Sequence, residues 1–239
     1  MANPVANFET SEGDFEAEIY LDRVPITASN FIALCRAGFY DGLHFHRVVD
    51  GFMNQFGCPY SKVPNSPMAG KGSPPVVSFT NLSNGSLVCR GYGGTIKDEN
   101  ISLDSNVPGS LSMANVGQAH TGGSQFFLNV AHNHFLDWFT PGASKHPVFG
   151  MVKSGGLDVL TKISKAKTVN ERPVQPIKMI KITISGAPEA VEPPVPQPSS
   201  SSSSSSSPSK RQKKGTRKPR KRSTSSSSSS SSQGKKRRR

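Results

Sequence analysis

A sharp change of composition near residue 186 limits what this chain can fold into. From Gly186 onward it runs through a Pro-rich stretch, GAPEAVEPPVPQP, then nine serines, the basic segment PSKRQKKGTRKPRKRST, eight further serines and QGKKRRR. After Ile184 only scattered Val and Ala could enter a core, so this part cannot bury enough apolar surface to fold. We therefore predict a folded domain over 1–186, a Pro/Ser-rich linker over 187–207 and a disordered Lys/Arg/Ser-rich tail over 208–239.

The same boundary divides the charge of the protein. The chain has 29 Lys and Arg against 16 Asp and Glu, a net charge of +13. Fourteen of the basic residues lie between Lys210 and Arg239, beyond the last acidic residue, which leaves 15 basic and 16 acidic residues in the preceding part. The basic character therefore belongs to the tail, and the body is nearly neutral.

Three further observations narrow the class of protein. No apolar run approaches the roughly 20 residues that span a bilayer, so we expect no membrane association. The N-terminal segment lacks the basic and then apolar pattern of a secretory signal. Three widely spaced cysteines without a CxxC pair favour a reducing compartment over a disulfide framework.

Short segments with alternating or compact apolar residues dominate the body and predict β-strands. Clusters of Gly, Pro and Asn separate them, which is typical of antiparallel barrels and sandwiches. The predicted strands cover residues 15–20, 45–49, 110–113, 125–130, 148–152 and 178–184. Between Cys58 and Asn100 the sequence lacks periodicity, and we predict a long loop there, either functional or disordered.

Two segments have the spacing of helices. The first follows Pro25, with Thr27 as the predicted N-cap, and ends at Gly38. The second covers residues 157–164, where Leu157, Leu160 and Ile163 form one apolar stripe. We therefore expect a mainly β fold, a closed barrel capped by two α-helices.

Three blocks place polar side chains beside large apolar ones in strand-like segments. They are FHRVVDGFMNQFG (45–57), LSMANVG (111–117) and GGSQFFLNVA (122–131). If the segments meet, the guanidinium of Arg47 lies beside a large apolar surface, where its five fixed donors can be aimed into a partly dry groove. No acid–nucleophile pair accompanies these blocks, so they favour a reaction that needs orientation and electrostatics but no bond cleavage.

These blocks, together with FLDWFTPGASKHPVFGMV, resemble the cyclophilin family of peptidyl-prolyl cis–trans isomerases over nearly the whole body. The resemblance implies a closed eight-stranded antiparallel barrel with two capping helices. It also implies isomerase activity on Xaa–Pro bonds of client proteins, with no cofactor and no metal.

By motif, the resemblance makes Arg47 the principal catalytic residue. It implies that Phe52, Met53, Phe127 and Leu136 form the pocket for the proline ring. It implies that the substrate groove and a neighbouring pocket are lined by His46, Gln55, Gly70, Gly72, Ala114, Asn115, Gln125, Phe135 and His146.

One groove position departs from the family pattern. Phe135 stands where many members carry a Trp whose indole N–H supports binding of the cyclic peptide cyclosporin. Because phenylalanine lacks that donor, we expect weakened cyclosporin affinity with retained isomerase activity. Trp138, three residues further on, is an alternative source of an indole. Val116 replaces the family's usual small Ala and narrows the groove slightly.

The histidines allow a metal site as an alternative. His44-Phe-His46 and His132-Asn-His134 each place two imidazoles on one face of a strand, and the first pair approaches the Gly-x5-His-x-His-x3-acid pattern of cupin jelly rolls. The acid is Asp rather than Glu, and no second cupin block follows. We therefore expect solvated or hydrogen-bonded histidines and no bound metal.

The basic clusters of the tail match the flexible segments that import receptors recognise, so we predict a nuclear protein, with the cytoplasm as the alternative. The same charge could bind nucleic acid without sequence preference, although the tail has no aromatic residue to stack on bases. The predicted localisation signal comprises Lys210, Arg211, Lys213, Lys214, Arg217, Lys218, Arg220, Lys221 and Arg222.

Two functions remain open at this point. The first is an active peptidyl-prolyl isomerase, delivered to the nucleus by its tail. The second is a proline-peptide-binding scaffold with little turnover, tethered through the tail to nuclear or nucleic-acid partners. In either case we expect a monomer, because the sequence has neither heptads nor an obvious self-pairing edge.

Overall fold

The computed structural model of the protein describes residues 2–142 and 145–189. The predicted linker from residue 190 onward, the basic tail and the predicted localisation signal lie outside the described residues. None of the helices in these two ranges combines the length and the hydropathy of a membrane-spanning segment.

The fold is built mainly from short antiparallel strands. Eight of them form one sheet in the order β12-β1-β2-β9-β7-β8-β4-β3, and two small hairpins, β5–β6 and β10–β11, stand apart from it. The strands are β1 (Val5–Thr10), β2 (Gly13–Ile19), β3 (Arg47–Val49), β4 (Met53–Phe56), β5 (Ser78–Thr80), β6 (Leu87–Cys89), β7 (Ser110–Met113), β8 (Phe126–Asn129), β9 (Val148–Val152), β10 (Thr168–Val169), β11 (Arg172–Pro173) and β12 (Met179–Ser185).

The predicted closed barrel is wrong, because the sheet is a curled, open half-barrel. Its edges are β12 and β3, and no ladder joins them within the described residues. Instead, the chain before β3 makes one isolated bridge, between His44 and Lys178. On β3 itself, the Val48 N–H donates to the carbonyl of Glu171, at 2.7 Å, in the turn of the β10–β11 hairpin. The turn of that hairpin therefore lies against the β3 edge of the sheet.

Over residues 2–142 and 145–189, two α-helices flank the sheet, α1 (Pro25–Arg36) and α2 (Gly156–Ser164). The predicted N-cap of the first helix is wrong, because Val24 occupies that position and Thr27 lies inside the helix. The first free N–H groups of α1 are bound instead by a distant carboxylate, Glu99. Its two oxygens accept from the Ile26 and Thr27 amides at 2.9 and 2.6 Å.

The main core lies between the inner face of the sheet and the two helices. Phe31 of α1 stands at its centre and meets Phe126 of β8 edge to face, with ring centroids 5.5 Å apart. Such aromatic pairs add to the stabilisation that burial alone provides. The core thus fixes β8, whose opposite face carries part of the site.

The predicted loop between Cys58 and Asn100 is only partly irregular. It contains a short 3-10 helix, Pro59–Lys62, and the β5–β6 hairpin. Arg90, which is only 4% exposed, ties this excursion to α1 through a hydrogen bond from its Nε to the Asn30 side chain, at 2.7 Å.

Candidate active site

Three neighbouring strands place Arg47 in line with two predicted groove residues. Arg47 in β3 lies opposite Gln55 in β4, and Gln55 lies opposite Phe127 in β8. Residues in register on neighbouring strands share a face, so the three side chains leave the same face of the sheet. The adjacent Phe126 belongs to the core on the other face. Strand register alone therefore assembles a cation, an amide and an aromatic ring.

A small apolar cluster, separate from the main core, lies on this outer face. Its three central side chains are at most 6% exposed although they face away from the core. The cluster comprises the buried Met53, Phe127 and Leu136 and, packed against them, the partly buried Val49, Phe52 and Ala114. All four residues predicted to hold a proline ring are therefore brought together.

A short 3-10 helix, His134–Leu136, carries the far wall of this cluster. It is held by the buried carboxylate of Asp137, which accepts hydrogen bonds from the main-chain and side-chain amides of Asn106 at 2.7 and 2.8 Å. Phe135, which is 55% exposed, stacks on Phe52 with ring centroids 6.0 Å apart. Phe135 therefore forms an outer rim, as a groove residue should.

His146 supports the cluster from behind. Its ring meets Phe127 edge to face at 5.3 Å, and its Nδ1 lies 2.9 Å from the carbonyl oxygen of Met113. Because a carbonyl only accepts, Nδ1 carries the proton of the neutral ring. Burial lowers the pKa of His146 below its ordinary value, which also favours the neutral form.

The polar half of the site is a cavity of about 140 Å³ beside the apolar cluster. Six of the predicted groove residues line it, namely Gln55, Gly70, Gly72, Ala114, Asn115 and Gln125. Gln125 organises it, since its Oε1 accepts from the Gln55 side chain at 3.1 Å and its Nε2 donates to the carbonyls of Gly70 and Gly72, both at 2.9 Å. These bonds dock the 70–72 segment against the sheet.

Asn115 holds the opposite wall of this cavity. Its Nδ2 donates to the carbonyl of Lys145 at 2.8 Å, and its Oδ1 accepts from the Gly117 amide at 2.9 Å. Each of these side-chain atoms still has a second hydrogen-bonding position. Asn115 therefore shapes the wall and retains capacity for a ligand.

Three predicted groove residues, His46, Phe135 and His146, do not line this cavity, and of these His46 lies away from the apolar cluster as well. It lies behind Gly70, where a Cβ on that glycine would come within 3.3 Å of the imidazole Cδ2. It instead lines a smaller cavity together with Arg172. Burial, followed by the charge of Arg172, lowers the pKa of His46 from 6.5 to about 4, so the ring is neutral at physiological pH.

The Arg47 side chain has a partner that the sequence did not indicate. Its Nε donates to Oε2 of Glu171 at 2.6 Å, and its Nη2 lies 3.4 Å from Oε1. The pair is open to solvent, with the side chains of Arg47 and Glu171 exposed by 39% and 51%. The guanidinium is therefore paired but not sealed inside. No pattern in the sequence marks a pair 124 residues apart.

Trp138, the alternative indole donor for cyclosporin, and His44, a candidate metal ligand, both have hydrogen-bond partners within the fold. The Trp138 Nε1–H donates to the carbonyl of Ser102 at 2.6 Å, so it is already engaged within the fold. The Nδ1 of His44 lies 2.8 Å from the carbonyl of Ser61. Over residues 2–142 and 145–189, no three His, Cys, Asp or Glu side chains gather as metal ligands would.

Several cavity residues were not predicted. They lie in loops next to predicted positions, where a single sequence carries no periodic signal. They are Lys71, Ser73, Thr121, Gly123 and Ser124. Lys71 is the charged member of the lining. An apolar notch, an array of amides and a nearby cation together can hold an extended chain and present a donor to it.

The sequence of this chain is similar to those of known proteins. A family model described as "Cyclophilin type peptidyl-prolyl cis-trans isomerase/CLD" matches residues 5–184. The peptidyl-prolyl cis-trans isomerase-like 3 of Gibberella zeae is 36% identical over 184 residues, covering 76% of this chain and 96% of that protein. The isomerase-like 1 protein of Aspergillus oryzae is 37% identical over 186 residues, covering 77% and 96%.

Solved structures show the same fold. A cyclophilin-type isomerase of Cryptosporidium parvum superposes with a TM-score of 0.61 at 24% identity, covering 78% of this chain and 99% of that one. A second structure of it, determined in the presence of the dipeptide Ala-Pro, gives a TM-score of 0.59 at 24% identity, with coverages of 75% and 98%. At this identity the likeness concerns the fold.

Proposed function

This chain belongs to the cyclophilin-type peptidyl-prolyl cis–trans isomerase family, and we propose that it accelerates rotation about Xaa–Pro bonds of protein substrates through Arg47. The family and its curated relatives support the isomerase activity itself. The role of Arg47, the division of labour within the groove and the cellular setting are the proposal.

The chemistry sets what the site must supply. Rotation about the amide faces a barrier of about 18–20 kcal/mol because resonance is lost as the bond twists. Without a catalyst, Xaa–Pro isomerisation takes tens to hundreds of seconds. In the twisted state the proline nitrogen regains a lone pair and becomes a better hydrogen-bond acceptor. A donor aimed at that nitrogen stabilises the transition state more than either planar state, which is the requirement for catalysis.

The groove residues divide this work. The Met53, Phe127 and Leu136 cluster holds the proline ring, with Phe52 and Phe135 at its rim. Gln55 and Asn115 hold the main chain on one side of the bond, so that the other side turns. Arg47 donates to the proline nitrogen as it pyramidalises. No covalent intermediate, cofactor or metal enters the reaction.

The observation that carries this proposal is the apolar cluster beside a solvent-accessible guanidinium. Core side chains belong on the inner face of the sheet, yet these three are buried on the outer face, in a cluster of their own. Arg47 is held one strand away from Gln55 and two from Phe127. A Pro-containing segment of a client, of the kind represented by the Ala-Pro used with the Cryptosporidium protein, matches such a surface.

A protease-coupled assay on a short Xaa–Pro peptide tests the assignment of Arg47. We expect Arg47→Ala to lower kcat/KM by about 100-fold, the scale on which removal of one transition-state donor acts. Arg47→Lys should retain only a small part of the rate, because the amine lacks the planar fork. If wild type and Arg47→Ala both match the uncatalysed rate, the enzyme assignment fails.

A scaffold with little turnover is the second candidate, and the Arg47–Glu171 pair is the observation that favours it. A guanidinium held by a carboxylate has fewer donors to offer. If the protein is such a scaffold, calorimetry should detect binding of a proline peptide, and the coupled assay should show no acceleration of its isomerisation. The two candidates therefore separate on one peptide measured in both assays.

We also propose weak binding of cyclosporin. Phe135 has no N–H to offer, and the indole N–H of Trp138 is already bound to Ser102. Phe135→Trp should therefore raise cyclosporin affinity by about 10-fold, the worth of one hydrogen bond in a favourable setting. Trp138→Phe should leave the affinity unchanged in the titration. A result in which only Trp138→Phe lowers it would reverse the assignment.

For the cellular setting, we propose delivery to the nucleus through the basic clusters of the tail. The support is the sequence of residues 208–239, which has 14 basic residues and no acidic one. An import receptor would bind these clusters, and nucleic acid would bind them weakly and without sequence preference. The isomerase domain would act there as a monomer on client proteins, assisting folding or conformational switching.

A further inference from the structure

The turn that carries Glu171 has an unusual residue for its backbone conformation. Val169 pairs with Arg172, so the β10–β11 hairpin turns through only two residues, Asn170 and Glu171. Both have positive φ, 50° and 63°. Two-residue hairpin turns of this kind favour Asn-Gly, because glycine has no Cβ to strain at the second position. Here a glutamate occupies the position that glycine suits best.

The strained residue makes a specific contact with the strand that bears the proposed catalytic group. Its carbonyl accepts from the Val48 N–H at 2.7 Å, which anchors the turn to β3. Its carboxylate receives the Arg47 Nε–H at 2.6 Å and faces Nη2 at 3.4 Å. The bond from Arg47 lowers the pKa of Glu171 below its ordinary value, so the carboxylate is ionised at neutral pH.

We propose that Glu171 is the positioning residue of Arg47, holding one edge of the guanidinium so that the other edge faces substrate. This inference rests on the proposed isomerase function. The carboxylate occupies the edge formed by Nε and Nη2. Among the described residues, no hydrogen bond uses Nη1, so the distal edge of the fork retains its N–H groups for a ligand.

The physical gain is preorganisation. An arginine side chain has many rotamers, and an unrestrained one would have to be ordered each time the bond twists. A charge-assisted bond made before substrate arrives removes part of that cost from the chemical step. Because the pair is exposed, its contribution to folding stability is small. Positioning rather than stability therefore accounts for a glutamate at a strained position.

Enzyme variants test this directly. Glu171→Ala should lower kcat by about 5-fold with KM changed less than 2-fold, which is the effect of freeing one immobilised side chain. Glu171→Gln keeps one acceptor oxygen, so its kcat should lie between those of wild type and Glu171→Ala. Glu171→Gly relieves the positive φ, so it should raise Tm while still lowering kcat. A variant that is more stable yet slower separates positioning from folding.

A second readout does not depend on turnover. In wild type, the Arg47 Nε–H should give a slowly exchanging, shifted ¹⁵N NMR signal at neutral pH, and Glu171→Ala should remove it. The matched control is Glu16→Ala, which breaks an ion pair with Lys153 of similar exposure, 53% and 46%, away from the groove. It should alter neither the signal nor kcat.

The outcomes are distinct. If wild type shows no Arg47-dependent rate, the proposed function fails, and the NMR signal still reports whether Glu171 fixes the guanidinium. If the wild-type rate depends on Arg47 but Glu171→Ala is as fast or faster, the positioning role is overturned. The same follows if Glu171→Ala still slows the reaction in the Arg47→Ala background, because the effect would then not pass through Arg47.

Discussion

At the level of individual residues, the groove combines side chains whose charges are set by their surroundings. Arg47 is held by Glu171 and remains open to solvent. His146 is neutral because it is buried and bonded to the Met113 carbonyl. His46 is buried behind Gly70, and both of its ring nitrogens lack a hydrogen-bond partner within the described residues. At neutral pH the guanidinium of Arg47 is therefore charged, whereas the imidazoles of His46 and His146 are not.

The buried His46 makes stability depend on pH. Its pKa is about 4 in the folded protein against 6.5 in an ordinary setting. Between these values the unfolded chain binds a proton that the folded protein does not, so stability falls as pH falls through this window. The loss approaches about 3 kcal/mol near the lower end of the window. Urea unfolding at several pH values between 7 and 4 measures it.

The control for this prediction is His46→Gln, which removes the titrating ring and keeps a polar side chain. Its unfolding free energy should depend less steeply on pH over the same window. The unfolding free energy of His146→Asn should also depend less steeply on pH than that of wild type, because the pKa of His146 is also lowered. A wild-type slope equal to that of His46→Gln would show that the pKa of His46 is the same in the folded and unfolded states.

At the level of elements, α1 is tied to the groove through its own first turn. The helix starts without a side-chain cap from its N-cap residue, and Glu99 supplies the acceptors from a loop 72 residues away. In the same segment, the Ile96 N–H donates to the carbonyl of Gly122, next to the cavity residues Gly123 and Ser124. The segment that carries Glu99 therefore contacts both the start of α1 and the chain next to the groove wall.

Removing that carboxylate should cost stability. Glu99→Gln loses the charge that favours a helix N-terminus and one of its two acceptors, so we expect a loss of about 1–2 kcal/mol in unfolding free energy. Chemical denaturation of the variant checks this. Glu9→Gln is the matched control, since Glu9 is exposed and makes no ion pair within the described residues. Equal loss in both variants would remove the capping role.

At the level of the whole molecule, the described contacts extend only a few residues beyond the strand β12. The last described contacts run from the Arg36 guanidinium, at the end of α1, to the carbonyls of Ala187 and Pro188. Every groove residue precedes them. Catalysis and tail-mediated targeting are therefore expected to be separable activities of one chain.

Deleting residues 208–239 tests that separation. The tagged, shortened protein should lose nuclear accumulation, keep kcat/KM, and lose its binding to DNA. The full chain should bind DNA with an affinity that falls at least about 10-fold between 50 and 200 mM salt, because bound phosphates release counterions. Deleting only the serines 225–232, which keeps every basic residue, is the control. Unchanged nuclear accumulation after the larger deletion would contradict the import assignment.

Local patterns in the sequence were enough to predict six of the eight sheet strands and both helices, because alternation and helical spacing are properties of neighbouring residues. Residues 110–113 and 148–152 match β7 and β9 at both ends. The predictions missed β4 and also β1, although the buried Ala6, Phe8 and Thr10 of β1 alternate with more exposed residues. The site residues were predicted from the resemblance to the cyclophilin family, because its motifs occur in this chain as separate blocks in the same order.

Only the tertiary structure determined the contacts between residues that are far apart in the chain. The turn of the β10–β11 hairpin bonds to the edge strand β3 of the open half-barrel, a contact that no local pattern encodes. Thr27 is not the cap of α1 because a distant Glu99 takes that task. The partner of Arg47 is likewise set by a turn 124 residues away. Such contacts depend on the paths that the loops take in three dimensions. Residue patterns within a short stretch of sequence do not encode those paths, because they are set by the packing of the whole chain.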